Sequence, residues 1–229
     1  MGETVPSRIL QLSGFVLAGG ESRRMGSPKP LLTLGGETML ERQLHLLRRM
    51  CRGVAVVGAP PGLPAIGVPV WADELPGRGP LGGIYTGLKH SRMEYNLFLG
   101  CDLPFMEARF LRFLARLAIG EQADVTVPEA SDRRLQPLAA VYRRRALGAI
   151  RARLQAGVNK TSSFFQRVCC RVVRWPEIAR AGFSSRVFAN INTPGDYEAA
   201  KQLIGPPPVW IGGLAHADRR PYNLTSQTG

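Results

Sequence analysis

Lysine is scarce in this chain of 229 residues, with 4 against 26 arginines. Histidine occurs three times, cysteine four times, and aromatic residues make up 7%. Uninterrupted apolar runs all fall well short of the roughly 20 residues that a membrane helix needs. Each shortage excludes something. Without a long apolar run there is no transmembrane helix to expect. The first apolar stretch is broken by Ser13 and Gly14 and followed directly by Glu21, Arg23 and Arg24. That is a poor signal peptide and a good first strand, so the expected location is cytoplasmic. Cys51, Cys101, Cys169 and Cys170 form no CxxC pair, and the vicinal Cys169-Cys170 is not a metal-ligand spacing. Reduced, structural cysteines are the expectation. His45, His90 and His216 fall in none of the motifs described below, which leaves a Ser-His-Asp or histidine–metal mechanism without support.

What the chain has in excess is arginine, which supplies most of a net charge of +13. The planar guanidinium suits phosphate, so an anionic ligand fits; a genome that writes arginine in place of lysine is the plainer source of the excess. No aromatic platform or nucleic-acid-binding motif accompanies the charge, and nucleic acid is not an expected partner.

Short apolar runs alternate with helical patterns and no linker divides them, which predicts an α/β fold. The expected architecture is a single Rossmann-like, mainly parallel sheet with helices on both faces, a three-layer αβα arrangement. It occupies residues 1–205, and residues 206–229, which open on Pro206-Pro207-Pro208, read as a flexible tail. The expected strands are Phe15–Ala18, Val54–Val57, Val68–Trp71, Asn96–Leu99, Asp124–Val127, Leu138–Tyr142 and a short one near Val172. Helices are expected over Thr38–Met50, from Gly79 to about His90, over Glu107–Ala118, around Arg144–Gln155 and over Pro194–Ile204. Glu37 and Glu41 are placed at the start of the first of these helices and Arg48 and Arg49 at its end, as the helix dipole favours.

Three constellations sit where a strand ends and a loop or helix begins, the edge at which open parallel sheets bind ligands. In the first, Gly19-Gly20 lets backbone approach a ligand closely, and Arg23, Arg24 and Lys29 add charge able to pair with a triphosphate. This loop is neither GxGxxG nor GxxxxGK[ST]. A plain glycine turn with solvated basic residues is the alternative. In the second, Asp102 follows a buried apolar strand, with Pro104 two residues on. One carboxylate plus substrate phosphates is a common way to hold magnesium, and a turn aspartate is the alternative. In the third, Asp73 precedes Gly79-Pro80-Leu81-Gly82-Gly83, a group able to accept hydrogen bonds from a ribose or base, or simply to close a turn.

In order and spacing, Leu17-Ala18-Gly19-Gly20-Glu21-Ser22-Arg23-Arg24-Met25-Gly26-Ser27-Pro28-Lys29, Gly79–Ile84 and Cys101-Asp102-Leu103-Pro104-Phe105 resemble the nucleotidyltransferase superfamily. Gln136–Tyr142 and Asn190-Ile191-Asn192-Thr193-Pro194-Gly195-Asp196 narrow the resemblance to the molybdenum cofactor guanylyltransferases. It covers about residues 13–204. That family transfers GMP from GTP to molybdopterin carrying molybdenum, forming a guanine dinucleotide cofactor and releasing pyrophosphate. The resemblance implies Leu17, Ala18, Gly19, Gly20, Lys29, Gly58, Asp73 and Asp102 as nucleotide-binding residues. It implies Arg23, Lys29 and Asp102 as catalytic, with Asp102 holding Mg²⁺, and Gln136, Asn190 and Asn192 facing the acceptor. The implied partners are GTP, molybdenum-carrying molybdopterin and molybdoenzyme maturation proteins. Gly58 departs from the family, which often has asparagine there, and removes a side-chain contact to the nucleotide. A cytidylyltransferase of the same cofactor, another small-molecule nucleotidyltransferase, and a non-catalytic nucleotide-binding protein are the alternatives.

Overall fold

A computed structural model describes residues 9–19, 28–60, 62–63 and 65–205. The strands are β1 (Ile9–Leu17), β2 (Thr33–Leu34), β3 (Glu37–Thr38), β4 (Cys51–Val57), β5 (Val70–Trp71), β6 (Tyr95–Gly100), β7 (Val125–Pro128), β8 (Ala139–Arg143) and β9 (Cys170–Val173). The helices are α1 (Met39–Arg48), α2 (Gly79–His90), α3 (Ala108–Glu121), α4 (Leu147–Gln155), α5 (Trp175–Arg180) and α6 (Pro194–Ile204).

Seven strands form one sheet in the order β5-β4-β1-β6-β8-β7-β9. Only β8 runs against its neighbours, pairing antiparallel with β6 and β7. The expected mainly parallel α/β sheet is therefore what the chain builds. Its strands alternate at period two between two covered faces. Leu12, Val16 and Val56 pack with α1 and α3, through Leu40, Leu44, Leu47, Phe110 and Leu114. Phe15, Leu17, Val57 and Phe98 face the other way, against Leu81, Ile84 and Leu88 of α2 and Ile150 and Leu154 of α4. Phe98 is fully buried between the rings of Phe15, stacked at 4.9 Å, and Tyr142, edge-on at 5.4 Å. Burying such a side chain contributes about 1.5–3 kcal/mol. A Cβ on Gly87 of α2 would fall 2.6 Å from the Phe98 ring, and one on Gly83 would fall 3.1 Å from Leu17. The small residues of α2 thus let it lie close on the sheet.

The expected element limits need local corrections. Thr38 is the cap of α1 rather than its first turn: its hydroxyl accepts from Glu41 N while the Glu41 carboxylate accepts from Thr38 N, a reciprocal capping box. Glu37 belongs to β3 and reaches His45 Nδ1 at 3.0 Å, so it acts as a side-chain partner rather than as a dipole charge. The third strand is confined to Val70–Trp71. Pro69 has no N–H to donate and contributes only its carbonyl, which accepts from Val56 N. The basic helix starts at Leu147, after a 3₁₀ turn over Arg144–Ala146. The β2–β3 hairpin and α5 were not expected. Gly35 and Gly36, both at positive φ, make the hairpin turn. The hairpin carries Leu34 and leads into Met39, the first residue of α1; both pack with Ile191 and Ala200, which seats α6. The tail 206–229 lies outside the described residues, among which no helix is long and apolar enough to cross a membrane.

Candidate functional site at the carboxyl edge of the sheet

From β1 the chain leaves through α1 toward one edge of the sheet, and from β6 it leaves through α3 toward the other. The two strands are neighbours, and it is outside the carboxyl ends of such a pair that open α/β sheets form a ligand crevice. Leu17, Ala18 and Gly19 form one lip and Cys101 and Asp102 the other, stitched together where Cys101 N donates to Leu17 O at 3.4 Å.

Gly58 ends the neighbouring strand β4 at φ +71°, a conformation that glycine and asparagine accept and branched residues resist. A Cβ on Gly19 would lie 3.0 Å from Gly58 O, and one on Gly58 would lie 3.2 Å from Gly19 Cα. The two chains approach here backbone to backbone. The asparagine that the family resemblance leads one to look for would be compatible with this φ but would press on Gly19. A shallow, largely apolar hollow of about 480 Å³ continues from Gly58 along the β4–β5 edge, lined by Ala59, Leu63, Ile66, Trp71 and Ala72 among others.

Asp102 sits half-buried in the turn after β6. Burial raises its carboxyl above the ordinary value of 3.8, and the charge of nearby Lys29 acts in the opposite direction. The turn is clamped from α1. Gln43, fully buried, donates from Nε2 to Leu103 O at 2.8 Å, and Arg42 donates from Nε to Pro104 O at 2.9 Å. It is also clamped from the C-terminal side, where Ile191 N donates to Asp102 O at 2.9 Å. Desolvation pushes the neighbouring Cys101 thiol up to about 12, so it stays protonated and is no nucleophile.

Lys29 opens a 3₁₀ turn, Lys29–Leu31, and its ammonium donates to Asn192 Oδ1 at 2.9 Å. The segment before α6 thereby joins the crevice: Asn192 and the Asp102 turn are one residue apart through Ile191. Asn190 is exposed on the same segment. Gln136 lies on the far side of β6. Its backbone links Pro128 O to Ala139 N, and Leu138, two residues on, accepts from Gly100 N at 2.7 Å. Gln136 is thus anchored beside the strand that carries Asp102.

Asp73 follows β5, two strands from β1, and much of its chemistry is that of a turn. Its Oδ1 accepts from Leu75 N at 3.0 Å and from Thr86 Oγ1 of α2 at 3.2 Å. His90 comes nearer to this constellation than its place in the sequence indicated. It stacks on Trp71 at 4.7 Å and meets Glu74, the residue after Asp73, at 2.8 Å. The expected Gly20, Arg23 and Arg24 lie outside the described residues. Arg42 and Gln43 escaped the sequence reading, because a helix residue that reaches a carbonyl some 60 positions away leaves no local pattern, and so did Thr86, whose hydroxyl meets Asp73 across 13 positions. Among the described residues no three His, Cys, Asp or Glu side chains gather into a metal cage.

The family described as MobA-like NTP transferase domain matches residues 14–171. The chain is similar to a probable molybdenum cofactor guanylyltransferase of Carboxydothermus hydrogenoformans, 33% identical over 193 residues, which are 84% of this chain and 96% of that protein. A protein of the same description from Mycobacterium tuberculosis is 38% identical over 209 residues, 88% of this chain and 98% of the relative. In fold, the chain resembles the molybdopterin-guanine dinucleotide biosynthesis protein A of Archaeoglobus fulgidus, with a TM-score of 0.72 at 22% identity over 83% of this chain and 97% of that one.

Proposed function

This chain belongs to the MobA-like NTP transferase family, and we propose that its reaction is the transfer of GMP from GTP to the terminal phosphate of molybdenum-carrying molybdopterin. The product is the guanine dinucleotide form of the cofactor, with pyrophosphate released. The nucleotidyltransferase class follows from the family; the guanylyl donor and the pterin acceptor rest on the names of the relatives that the chain matches over nearly their full length. The observations that support the reading are that Gly19 and Gly58 meet at the carboxyl ends of β1 and β4, and that the charge of Lys29 reaches Asp102 at the carboxyl end of β6.

An oxygen of the acceptor phosphate forms a bond to the α-phosphorus of GTP as the bond from that phosphorus to the β-phosphate oxygen breaks. The acceptor's second phosphate pKa is about 6, so the attacking oxygen is already largely ionised and no strong base is required. That suits a crevice whose described polar groups are a lysine, a carboxylate and amides. The chain's work is to hold two polyanions together and offset their charge. In this reading Leu17, Ala18 and Gly19 at the end of β1 and Gly58 at the end of β4 line the nucleotide, and Asp73 takes the nucleoside. Lys29, and Arg23 of the same sequence motif, supply cationic charge to the phosphates. Gln136, Asn190 and Asn192 lie toward the acceptor. Magnesium is the cofactor that the donor set fits: a single hard carboxylate, Asp102, with substrate phosphates and water completing the shell. When bound it would stabilise the charge that develops on the phosphates. The setting of such a reaction is the cytoplasm, with molybdoenzyme maturation proteins downstream.

Calorimetry with Mg²⁺ and GTP, CTP, ATP and UTP in turn tests the donor, and pyrophosphate release with molybdopterin tests the transfer. Preference for GTP supports the reading. Preference for CTP retains the class and replaces the donor, and binding of no nucleotide overturns it.

A further inference from the structure

The family resemblance directs Asn192 toward the acceptor, but among the described residues its side chain meets Lys29, on the nucleotide side. The ammonium donates to Asn192 Oδ1 at 2.9 Å across 163 positions of sequence. Asn192 is itself fixed from two directions. Its own N–H and that of Thr193 donate to Asp196 Oδ2 at 2.9 and 2.8 Å, while Asp196 N donates back to Thr193 Oγ1 at 3.1 Å. This capping box locks the first turn of α6. One residue earlier, Ile191 is buried in the cluster beneath α6, and its N–H donates to Asp102 O. Further along the helix, Tyr197 donates from its hydroxyl to Thr33 O at 2.7 Å, which ties α6 to the hairpin next to the Lys29 turn.

We infer that Asn192 is a positioning residue for Lys29: through it the rigid start of α6 sets where the ammonium stands relative to Asp102 and the nucleotide phosphates. Lysine carries its charge on a flexible four-carbon stem, and holding it in one place before the ligand arrives reduces the ordering cost of binding. An amide oxygen suits this task because it accepts from the ammonium. The charge reaches both carboxylates that flank it, since Lys29 acts to lower the pKa of Asp102 and of Asp196. The C-terminal motif is thereby part of the donor half of the site, whatever else it offers to the acceptor.

The inference rests on the nucleotide reading given above, and a mutant cycle separates the two. GTP affinity with Mg²⁺ and thermal unfolding are measured for the full chain and for Asn192→Leu, Asn192→Asp, Lys29→Ala and the Lys29→Ala/Asn192→Leu pair. Asn192→Leu is expected to weaken GTP binding about tenfold and, being exposed, to leave the unfolding temperature unchanged. In the Lys29→Ala background the same change is expected to cost less than about twofold, because the group it positions is gone. Asn192→Asp retains an accepting oxygen and is expected to keep most of the affinity. Independent, multiplying losses in the pair overturn the inference. So does Asn192→Asp binding as poorly as Asn192→Leu, and so does unchanged GTP affinity with a raised KM for the acceptor. Failure of the unaltered protein to bind nucleotide takes down the functional reading and this inference together.

Discussion

The amide of Gln43, fully buried in α1, donates to the carbonyl of Leu103 at 2.8 Å, one residue beyond Asp102. A helix on one face of the sheet therefore holds the turn that presents the carboxylate. Replacing Gln43 with leucine keeps the volume and removes this donor, leaving Leu103 O with only the longer bond from Met106 N at 3.3 Å, at a cost of about 0.5–1.5 kcal/mol. Thermal denaturation is expected to show the loss. Turnover at saturating substrates is expected to fall further than the stability change accounts for, since Asp102 loses its fixed position.

Gly58 stands at φ +71° with Gly19 pressed against it. A β-branched residue there carries backbone strain of order 1–3 kcal/mol in addition to the contact with Gly19. Gly58→Val is expected to lower both the melting temperature and nucleotide affinity. Gly58→Asn, whose side chain tolerates the left-handed conformation, is expected to lose less stability. If an asparagine there reads the base, calorimetry will show that variant discriminating GTP from CTP more sharply than the natural chain.

Asp102 is raised in pKa chiefly by burial, so its ionisation opposes folding. The folded state holds this proton to a higher pH than the unfolded chain does. Its favourable contribution is complete below about 3.9, the unfolded aspartate value, and is lost as pH rises through the raised folded pKa. Asp102→Asn is therefore expected to melt higher than the natural chain at neutral pH, with the difference closing in acid. The same substitution is expected to reduce turnover on the order of 10²–10³-fold, the size of effect seen when one charge-stabilising group is removed. A variant that is both active and no more stable at neutral pH contradicts both halves of this expectation.

Asp196 shows the opposite sign. Hydrogen bonds from the N–H groups of Asn192 and Thr193 lower its pKa. Its contribution is present above the unfolded aspartate value and is lost as pH falls through the lowered folded one. Asp196→Ala is expected to reduce stability at neutral pH but not in strong acid. It is also expected to weaken GTP binding, because Asn192 loses the anchor of its backbone. A melting series over pH, run beside calorimetry, checks both.

The legible parts of this protein are those written locally. Tyr95–Gly100 is buried along its whole length and reads as a continuous apolar strand, as a sheet covered on both faces requires. The apolar stripe Leu40, Leu44 and Leu47 reads as a helix for the same reason of period. Asp102 and the Gly19 loop were visible as groups at strand ends. The short β5 was overread, because Val68-Pro69-Val70-Trp71 has strand residues but Pro69 cannot donate to the ladder. The reversal of β8 was not visible, since apolar alternation looks the same in either direction.

The order of residues alone determined the class of fold, through the spacing of its apolar positions, and it placed glycines and charged groups where strands end. Only the packed structure decided which of those groups meet. Lys29 and Asn192 are separated by 163 positions, and so are brought together only by α6 docking on the β2–β3 hairpin. Gln43 reaches the Asp102 turn only because α1 and α3 share a face of the sheet. Local pattern encodes which face a residue turns toward the core, whereas the partner of a polar group is set by the three-dimensional path of the chain, which no local pattern contains.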